Sequence, residues 1–489
     1  MTGLRPQVSG LRMQSVSMSQ LPVVVIGAGP VGLAAAAHLY RYHLPFAVLE
    51  SGDRPAAAIR EWAHVRTFSP WRYMIDSSAR ALLESSGWQA PDSDRPPTGR
   101  DLVEQYLDPL AAHDAIRPHI RYGARVVSVG RLDFDKVRTK GRDRQPFGLR
   151  LANGDRVEAR AVIDASGTWR TPNPAGSGGV PAFGEAEHSA RITYGIPDVN
   201  GAARVRYAGR RILVVGTGHS AFNVILDLLS LADAEPDTQI TWAMRKESLD
   251  GLWGGGASDQ LEARGELGQR ARRAVESGRI RVLSPLRIRA FESIDGAMRV
   301  TGVGGHDSVS VDVDEAIVCT GFRPELQMLS EVRLGLDAWL ESPAALAPLI
   351  DPNEHSCGTV RPHGARELAH PETDFYIVGM KSYGRAPTFL LATGYEQVRS
   401  IAAMLAGDVA AAERVELVLP ETGVCSTDVG GGGCCAPAPV AVAVPLLLKK
   451  ARAVVADECC GGPASPDVDA CCVKDADAKA AGASGCGCS

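Results

Sequence analysis

An α/β fold with two parallel-sheet, nucleotide-binding domains is predicted for this 489-residue chain by three observations. Two glycine-rich turns lie far apart in the chain, at Gly27-Ala28-Gly29-Pro30-Val31-Gly32 and at Gly216-Thr217-Gly218-His219-Ser220-Ala221. Each follows a short apolar run of strand character, Val23–Ile26 and Ile212–Val215, and each precedes a helical pattern. After residue 420 the composition turns abruptly to Gly, Ala, Pro and Cys.

Both turns have the strand–turn–helix context of the dinucleotide fingerprint. In the first, Gly27 serves the tight turn, Gly29 the close approach of backbone to pyrophosphate, and Gly32 helix–strand packing. The phosphates then face a helix N-terminus. Glu50 closes the next strand (46–50) and is placed to accept hydrogen bonds from a ribose diol. In the second turn, Gly216 and Gly218 repeat the pattern, Ser220 opens the helix, and Ala221 stands where the first has Gly32. The following strand, near 239–243, runs into Arg245 and Lys246 in place of an acid. Cations at that point favour a 2′-phosphate, hence NADPH over NADH. His219 is read as a helix-start residue. Two dinucleotides in one chain imply electron transfer between them, with a flavin at one and a nicotinamide at the other.

The remaining elements follow in order. Helix 30–43 lies between the first two strands, and helical spacing resumes over 100–113 after a Pro96-Pro97-Thr98-Gly99 turn. Strand-like runs near 124–129, 147–151 and 157–163 end in Ala165-Ser166-Gly167-Thr168-Trp169, and the Pro- and Gly-rich residues 171–184 form a hinge. A helix near 220–232 follows the second turn. The strand at Ala316–Val318 leads into Cys319-Thr320-Gly321-Phe322-Arg323-Pro324, another at 374–378 ends in Gly379, and a helix over about 388–406 closes the ordered part. The expected division is a flexible leader (1–20), the first part of an FAD domain (21–175), an inserted NADPH domain (176–311), the second part of the FAD domain (312–415) and a disordered Cys-rich tail (421–489).

Apolar and charged contents of 45% and 22% are those of an ordinary globular protein. A net charge of −5 offers no basic patch for nucleic acid. No apolar run reaches the roughly 20 residues of a membrane span, and the leader lacks the hydrophobic stretch of a secretory signal. A cytoplasmic enzyme with neither nucleic-acid nor membrane partner is expected.

These features resemble the two-dinucleotide flavoproteins, and within them the flavin-containing and Baeyer–Villiger-type monooxygenases. Phe183-Gly184, His188-Ser189 and Tyr194 are similar to that superfamily's Phe-x-Gly-x-x-x-His fingerprint, although no glycine stands two residues after Phe183. Arg60-Glu61-Trp62 resembles the flavin-lining segment without its usual paired glycines. The resemblance implies FAD contacts at Trp62, Ser166, Gly167 and Gly379. The stretch Gly379-Met380-Lys381-Ser382-Tyr383-Gly384-Arg385-Ala386-Pro387, taken with the tail, looks like the flavoprotein monooxygenases of arsenic-resistance operons. That resemblance would place Tyr383 and Arg385 at the junction of flavin and nicotinamide. His188 and Arg66 are further candidates for acid–base or positioning roles, each with a structural alternative.

Disulfide reductases of this architecture relay electrons through a cysteine pair at the flavin. Residues 1–318 contain no cysteine, Cys319 sits in a cofactor turn and Cys357 stands alone, so a core dithiol relay is excluded by counting. Oxygen chemistry needs none: NADPH would reduce the flavin, whose C4a would carry activated O₂ to a small-molecule substrate. Nine of the eleven cysteines lie in the tail, at Cys425, Cys434, Cys435, Cys459, Cys460, Cys471, Cys472, Cys486 and Cys488. Thiolates bind soft ions such as As(III), and the set lacks zinc-knuckle spacing, so a flexible soft-metal scavenger is expected. Two alternatives stand beside the monooxygenase: a reductase whose tail thiols reach the flavin, and a non-enzymatic soft-metal sensor or carrier.

Overall fold

The computed structural model describes residues 18–249, 252–253, 262–353, 362–387 and 389–417, together with the backbone of 458–459 and 462–463. It divides into a unit over Met1–Val429 and a second over Gly430–Ser489. In the second unit the described part is a two-residue antiparallel pair, Glu458–Cys459 with Gly462–Pro463. The tail cysteines therefore lie outside the described residues, apart from the backbone of Cys459, as does the leader apart from Met18–Gln20.

The first unit opens with β1 (Val23–Ile26), the helix Pro30–Arg41, β2 (Phe46–Leu49) and β3 (Ile120–Arg121). An antiparallel meander follows, β4 (Val126–Arg131), β5 (Phe147–Leu151) and β6 (Arg156–Ala159), and then β7 (Ala161–Asp164). The single run expected over 157–163 is thus two strands in different sheets, separated at Arg160, whose N–H donates to Pro22 O. The chain then forms β8 (Ile192–Tyr194), β9 (Arg211–Val215), β10 (Gln239–Ala243) and β11 (Ile280–Leu283). Three antiparallel strands come next, β12 (Arg287–Ile294), β13 (Ala297–Gly304) and β14 (Asp307–Val313), before β15 (Glu315–Val318) and β16 (Phe375–Ile377).

Two parallel five-stranded sheets organise the unit, in the orders β16-β7-β1-β2-β3 and β11-β10-β9-β15-β8. Strands buried on both faces read as continuous apolar runs, and β1 (VVVI) is buried at every position. The helix Pro30–Arg41 packs its alanine-rich body, Ala34 to Ala37, fully buried against the first sheet. The helix His219–Ala234 does the same for the second sheet with Phe222, Ile225 and Leu228.

One boundary is corrected. β15 was expected to begin the returning FAD segment at residue 312, but it pairs with β8 and β9 of the second sheet. The return to the first half falls after Val318. The outgoing and returning segments lie side by side as a two-stranded hinge. Asn173 N donates to Gly321 O at 2.9 Å, Arg323 N to Thr171 O at 2.9 Å, and Thr320 Oγ1 to Asn173 O at 2.7 Å.

Candidate functional site

In open α/β sheets, ligands bind beyond the carboxyl ends of the strands, where the strand order reverses. In the first sheet that point lies between β1 and β7, and three turns meet there. Gly27 has φ +99°, and a Cβ on it would stand 2.9 Å from Ala165 O. A Cβ on Gly32 would lie 2.0 Å from Gly27 O, so helix and turn are in backbone contact. Gly29 and Gly167 face open space. The first pair is packed and the second pair leaves room in front of the backbone, as a cradle for a pyrophosphate requires. Gly379 (φ +67°) rests on Val31, in the first turn of the helix behind the cradle.

Glu50 is buried, and its carboxylate accepts from Ala28 N at 2.7 Å and Gly52 N at 2.8 Å. These bonds fix the carboxylate at the end of β2 and tie it to the glycine turn. Trp62 packs edge-on over Gly99, whose Cβ would meet the ring at 2.9 Å. Ser166 donates Oγ–H to Asp164 Oδ1 at 2.6 Å. The donor set and the open glycine faces fit FAD.

The second crevice repeats the construction at β9. Gly216 (φ +125°) presses on Cys319, with 2.3 Å from its notional Cβ to Cys319 O, while Gly218 faces open space. Trp242 Nε1 donates to Gly216 O at 2.7 Å and anchors the turn from the neighbouring strand. Ser220 stands in the first turn of the helix His219–Ala234. Arg245 is exposed and donates to Ser177 O at 3.1 Å; Lys246 follows it, its carbonyl held by Ser284 Oγ at 2.7 Å. These residues fit a dinucleotide whose adenosine end meets two cations.

The acid–base candidates are dispersed. His188 donates Nδ1–H to Gly184 O at 2.8 Å, and its Nε2 lies 3.0 Å from Ser293 Oγ, which ties the hinge to β12. Arg66 is exposed and donates to Pro96 O at 2.8 Å. Tyr383 is buried between His363 and Phe389, with ring centroids at 5.7 and 5.2 Å, and burial raises its hydroxyl above the ordinary tyrosine range. Arg385 pairs with Glu341 at 2.9 Å. Among the described residues, these partners of Tyr383 and Arg385 belong to the first half of the unit.

Other residues emerge only in three dimensions. Lys381 and Asp164 form a fully buried ion pair at 2.7 Å, with Lys381 Nζ also 3.1 Å from Ser166 Oγ. Gln397 accepts from Gly379 N at 2.7 Å and donates to Ser382 Oγ at 2.9 Å, which fastens the 379–383 turn to the helix Leu391–Leu405. Within the first half, Glu61 accepts from Trp169 Nε1 at 2.7 Å and pairs with Arg170 at 2.5 Å. His64 faces Asp198 and the backbone of Ile196 and Pro197, and burial lowers its pKa. A lysine in a Gly-rich loop carries no sequence signal that it is buried, and a pair so far apart in the chain has no periodicity.

Cys319 is the one cysteine whose side chain lies among the described residues. It is buried, donates to Gly195 O at 3.4 Å, and its thiol is pushed up to about 12 by burial. Among the described residues no group of three or more His, Cys, Asp or Glu side chains is placed to hold a metal ion. No described helix is long and apolar enough to cross a membrane.

Two dinucleotide crevices joined by a two-stranded hinge define a flavin- and nicotinamide-dependent oxidoreductase. Residues 24–356 match the family model of the pyridine nucleotide-disulphide oxidoreductases, and the chain belongs to that family. FAD and NADPH are its cofactors. It is 30% identical over 211 residues to the indole-3-pyruvate monooxygenase YUCCA1 of Oryza sativa subsp. japonica, a match covering 42% of this chain and 44% of that one. The chain thus spans less than half of that relative's length. It is 23% identical over 344 residues to a ferredoxin–NADP reductase of Thermus thermophilus, covering 69% of this chain and 84% of the relative. Among solved structures, the bacillithiol disulfide reductase of Bacillus cereus superposes with a TM-score of 0.58 at 16% identity, over 79% of this chain and 99% of that one. A mutant form of a flavin monooxygenase of Stenotrophomonas maltophilia gives 0.52 at 20% identity, over 79% and 98%. At such identities the superpositions establish the fold alone.

Proposed function

We propose that this chain is an FAD-dependent monooxygenase. NADPH gives up a hydride, one atom of O₂ enters a small-molecule substrate, and the other leaves as water with the hydride and a proton. The observation that carries the reading is the absence of cysteine from residues 1–318, coupled with the burial of Cys319 against Gly195 O. Electrons that reach the flavin have no core dithiol to move on to. When bound, the flavin supplies the two-electron reduction and the reaction with O₂. The chain's own part is to hold FAD at Gly27, Gly29, Gly32, Glu50, Trp62, Ser166, Gly167 and Gly379. It holds NADPH at Gly216, Gly218 and Ser220, with Arg245 and Lys246 on the 2′-phosphate. The monooxygenase name of the rice relative supports the same reading.

The nine tail cysteines add a second element: soft-metal or metalloid binding, which would tie the enzyme to arsenic resistance. A competing reading, electron delivery to an acceptor protein, is favoured by the coverage of the ferredoxin–NADP reductase relative.

The deciding experiment follows NADPH oxidation by the FAD-loaded full chain, with O₂ uptake and peroxide release measured together, with and without arsenite. Arsenite-dependent O₂ consumption without matching peroxide supports a monooxygenase acting on, or gated by, the metalloid. Negligible O₂ use, with turnover restored only by ferredoxin, thiols or metal ions, sinks the monooxygenase reading. Loss of that restored turnover on deleting residues after 420 assigns the relay to the tail.

A further inference from the structure

The neighbouring strands β16, β7 and β1 of the first sheet hold a single charged residue, Asp164, and it stands at their carboxyl edge. Its side chain is fully buried, as is that of its partner Lys381. Taking two charges out of water is expensive, and an apolar pair of similar volume often serves the fold as well or better. A fully desolvated pair is therefore weak evidence of a purely structural role, and its position becomes informative.

That position joins the three turns of the first crevice. Asp164 Oδ1 accepts from Ser166 N at 3.1 Å and Ser166 Oγ at 2.6 Å, while Oδ2 accepts from Lys381 at 2.7 Å. Lys381 also donates to Ser166 Oγ at 3.1 Å, so two acceptors serve its three N–H groups. Gly27 lies against Ala165 and Ser166, and Gly379, two residues before Lys381, lies against Val31. One ammonium thus connects the turn beneath Gly27 to the turn beneath Val31.

We propose that Lys381 is an FAD-positioning residue. Paired with Asp164 and bonded to Ser166, it locks the 165–167 and 379–383 turns against the first glycine turn in the arrangement that receives the dinucleotide. The inference rests on the assignment of that crevice to FAD and is independent of the oxygen chemistry.

The test replaces the ion pair by its neutral near-isosteres in the full chain, D164N/K381M, with single D164N and K381M as controls. The apoprotein's thermal midpoint and far-UV circular dichroism report the fold. FAD titration and the visible circular dichroism of bound flavin report the cradle. The double variant is expected to keep the apo midpoint within a few degrees, bind FAD at least tenfold more weakly, and give an altered flavin band. A folded double variant with wild-type FAD affinity and flavin band overturns the proposal. Should the double variant not fold, D164N/K381Q decides, because it replaces the ion pair by a neutral hydrogen-bonding pair and leaves the Ser166 hydroxyl in place. About threefold or greater weakening at an unchanged apo midpoint supports the role, and unchanged affinity overturns it. Wild-type protein that binds no FAD would overturn the cofactor assignment as well, which separates the two failures.

Discussion

The ring of Phe68 packs against that of His219, with centroids 5.4 Å apart. Phe68 belongs to the first half of the unit, six residues after Trp62, while His219 opens the helix behind the second glycine turn. His219 in turn meets Phe222 edge-on at 6.1 Å, and Phe222 leads into the aromatic core of the second half through Trp242. The first half therefore touches the second glycine cradle directly, at the residue that begins the helix behind it. An aromatic contact of this kind contributes about 0.5–1.5 kcal/mol beyond its buried area.

F68A is expected to slow reduction of the flavin by NADPH by roughly three- to tenfold, the rate equivalent of that contact. FAD content should stay at the wild-type level, because Phe68 lies outside the three turns that form the first cradle. Stopped-flow bleaching of the flavin under anaerobic conditions reads this step alone. An unchanged rate constant would mean that the two halves are held for electron transfer by the hinge and not by this contact.

Cys319 offers a test of the core-thiol question that does not depend on the tail. Its thiol lies at the end of β15 with Gly216 pressed on its backbone, and burial pushes it up to about 12. The thiolate, which is the reactive form, is therefore scarce at neutral pH. C319A should retain NADPH oxidation within about twofold, at a stability cost on the order of 1 kcal/mol for the lost buried sulfur. Wild-type Cys319 should resist alkylation in the native state. Above about 9 the unfolded chain loses the thiol proton while the native state keeps it up to about 12. This contribution to stability is complete below pH 9 and falls away as pH rises through that window. Urea titrations at pH 8 and pH 10.5 should show a smaller difference for C319A than for wild type.

The two cradles were legible because their information is local. A strand, a turn and a helix start occupy a dozen residues, and Gly27, Gly32 and Gly216 stand where a side chain would collide with backbone. Sheet membership was not local. Ala316–Val318 is apolar enough for either sheet, and only its pairing with Ile192–Tyr194 and Leu213–Val215 assigns it to the second. In β12 a register shift between Ile288 and Ala290 breaks the two-residue alternation that marks a half-buried strand. Lys381 carries no local mark of its role, since its partner Asp164 is reached only after the 379–383 turn folds under Val31.

The preference between the two nicotinamide dinucleotides turns on Arg245 and Lys246. Arg245 leaves β10 exposed and donates to Ser177 O, and Lys246 is fixed through its backbone carbonyl to Ser284. A 2′-phosphate carries up to two negative charges, and a guanidinium meets it with paired, charge-assisted hydrogen bonds. The free hydroxyl of NADH gains little from either cation. R245A/K246A is expected to raise the KM for NADPH by about ten- to a hundredfold, at roughly 1.5–3 kcal/mol for the lost charged hydrogen bonds. The KM for NADH should change by less than about threefold, and kcat with saturating NADPH should hold, because the contact is the same in ground and transition states. The NADPH effect should shrink as salt is raised, since both cations lie near the surface. Steady-state kinetics with both dinucleotides at low and raised salt measure all of this at once. Equal losses with NADPH and NADH would show that the pair supports the loop and does not read the phosphate.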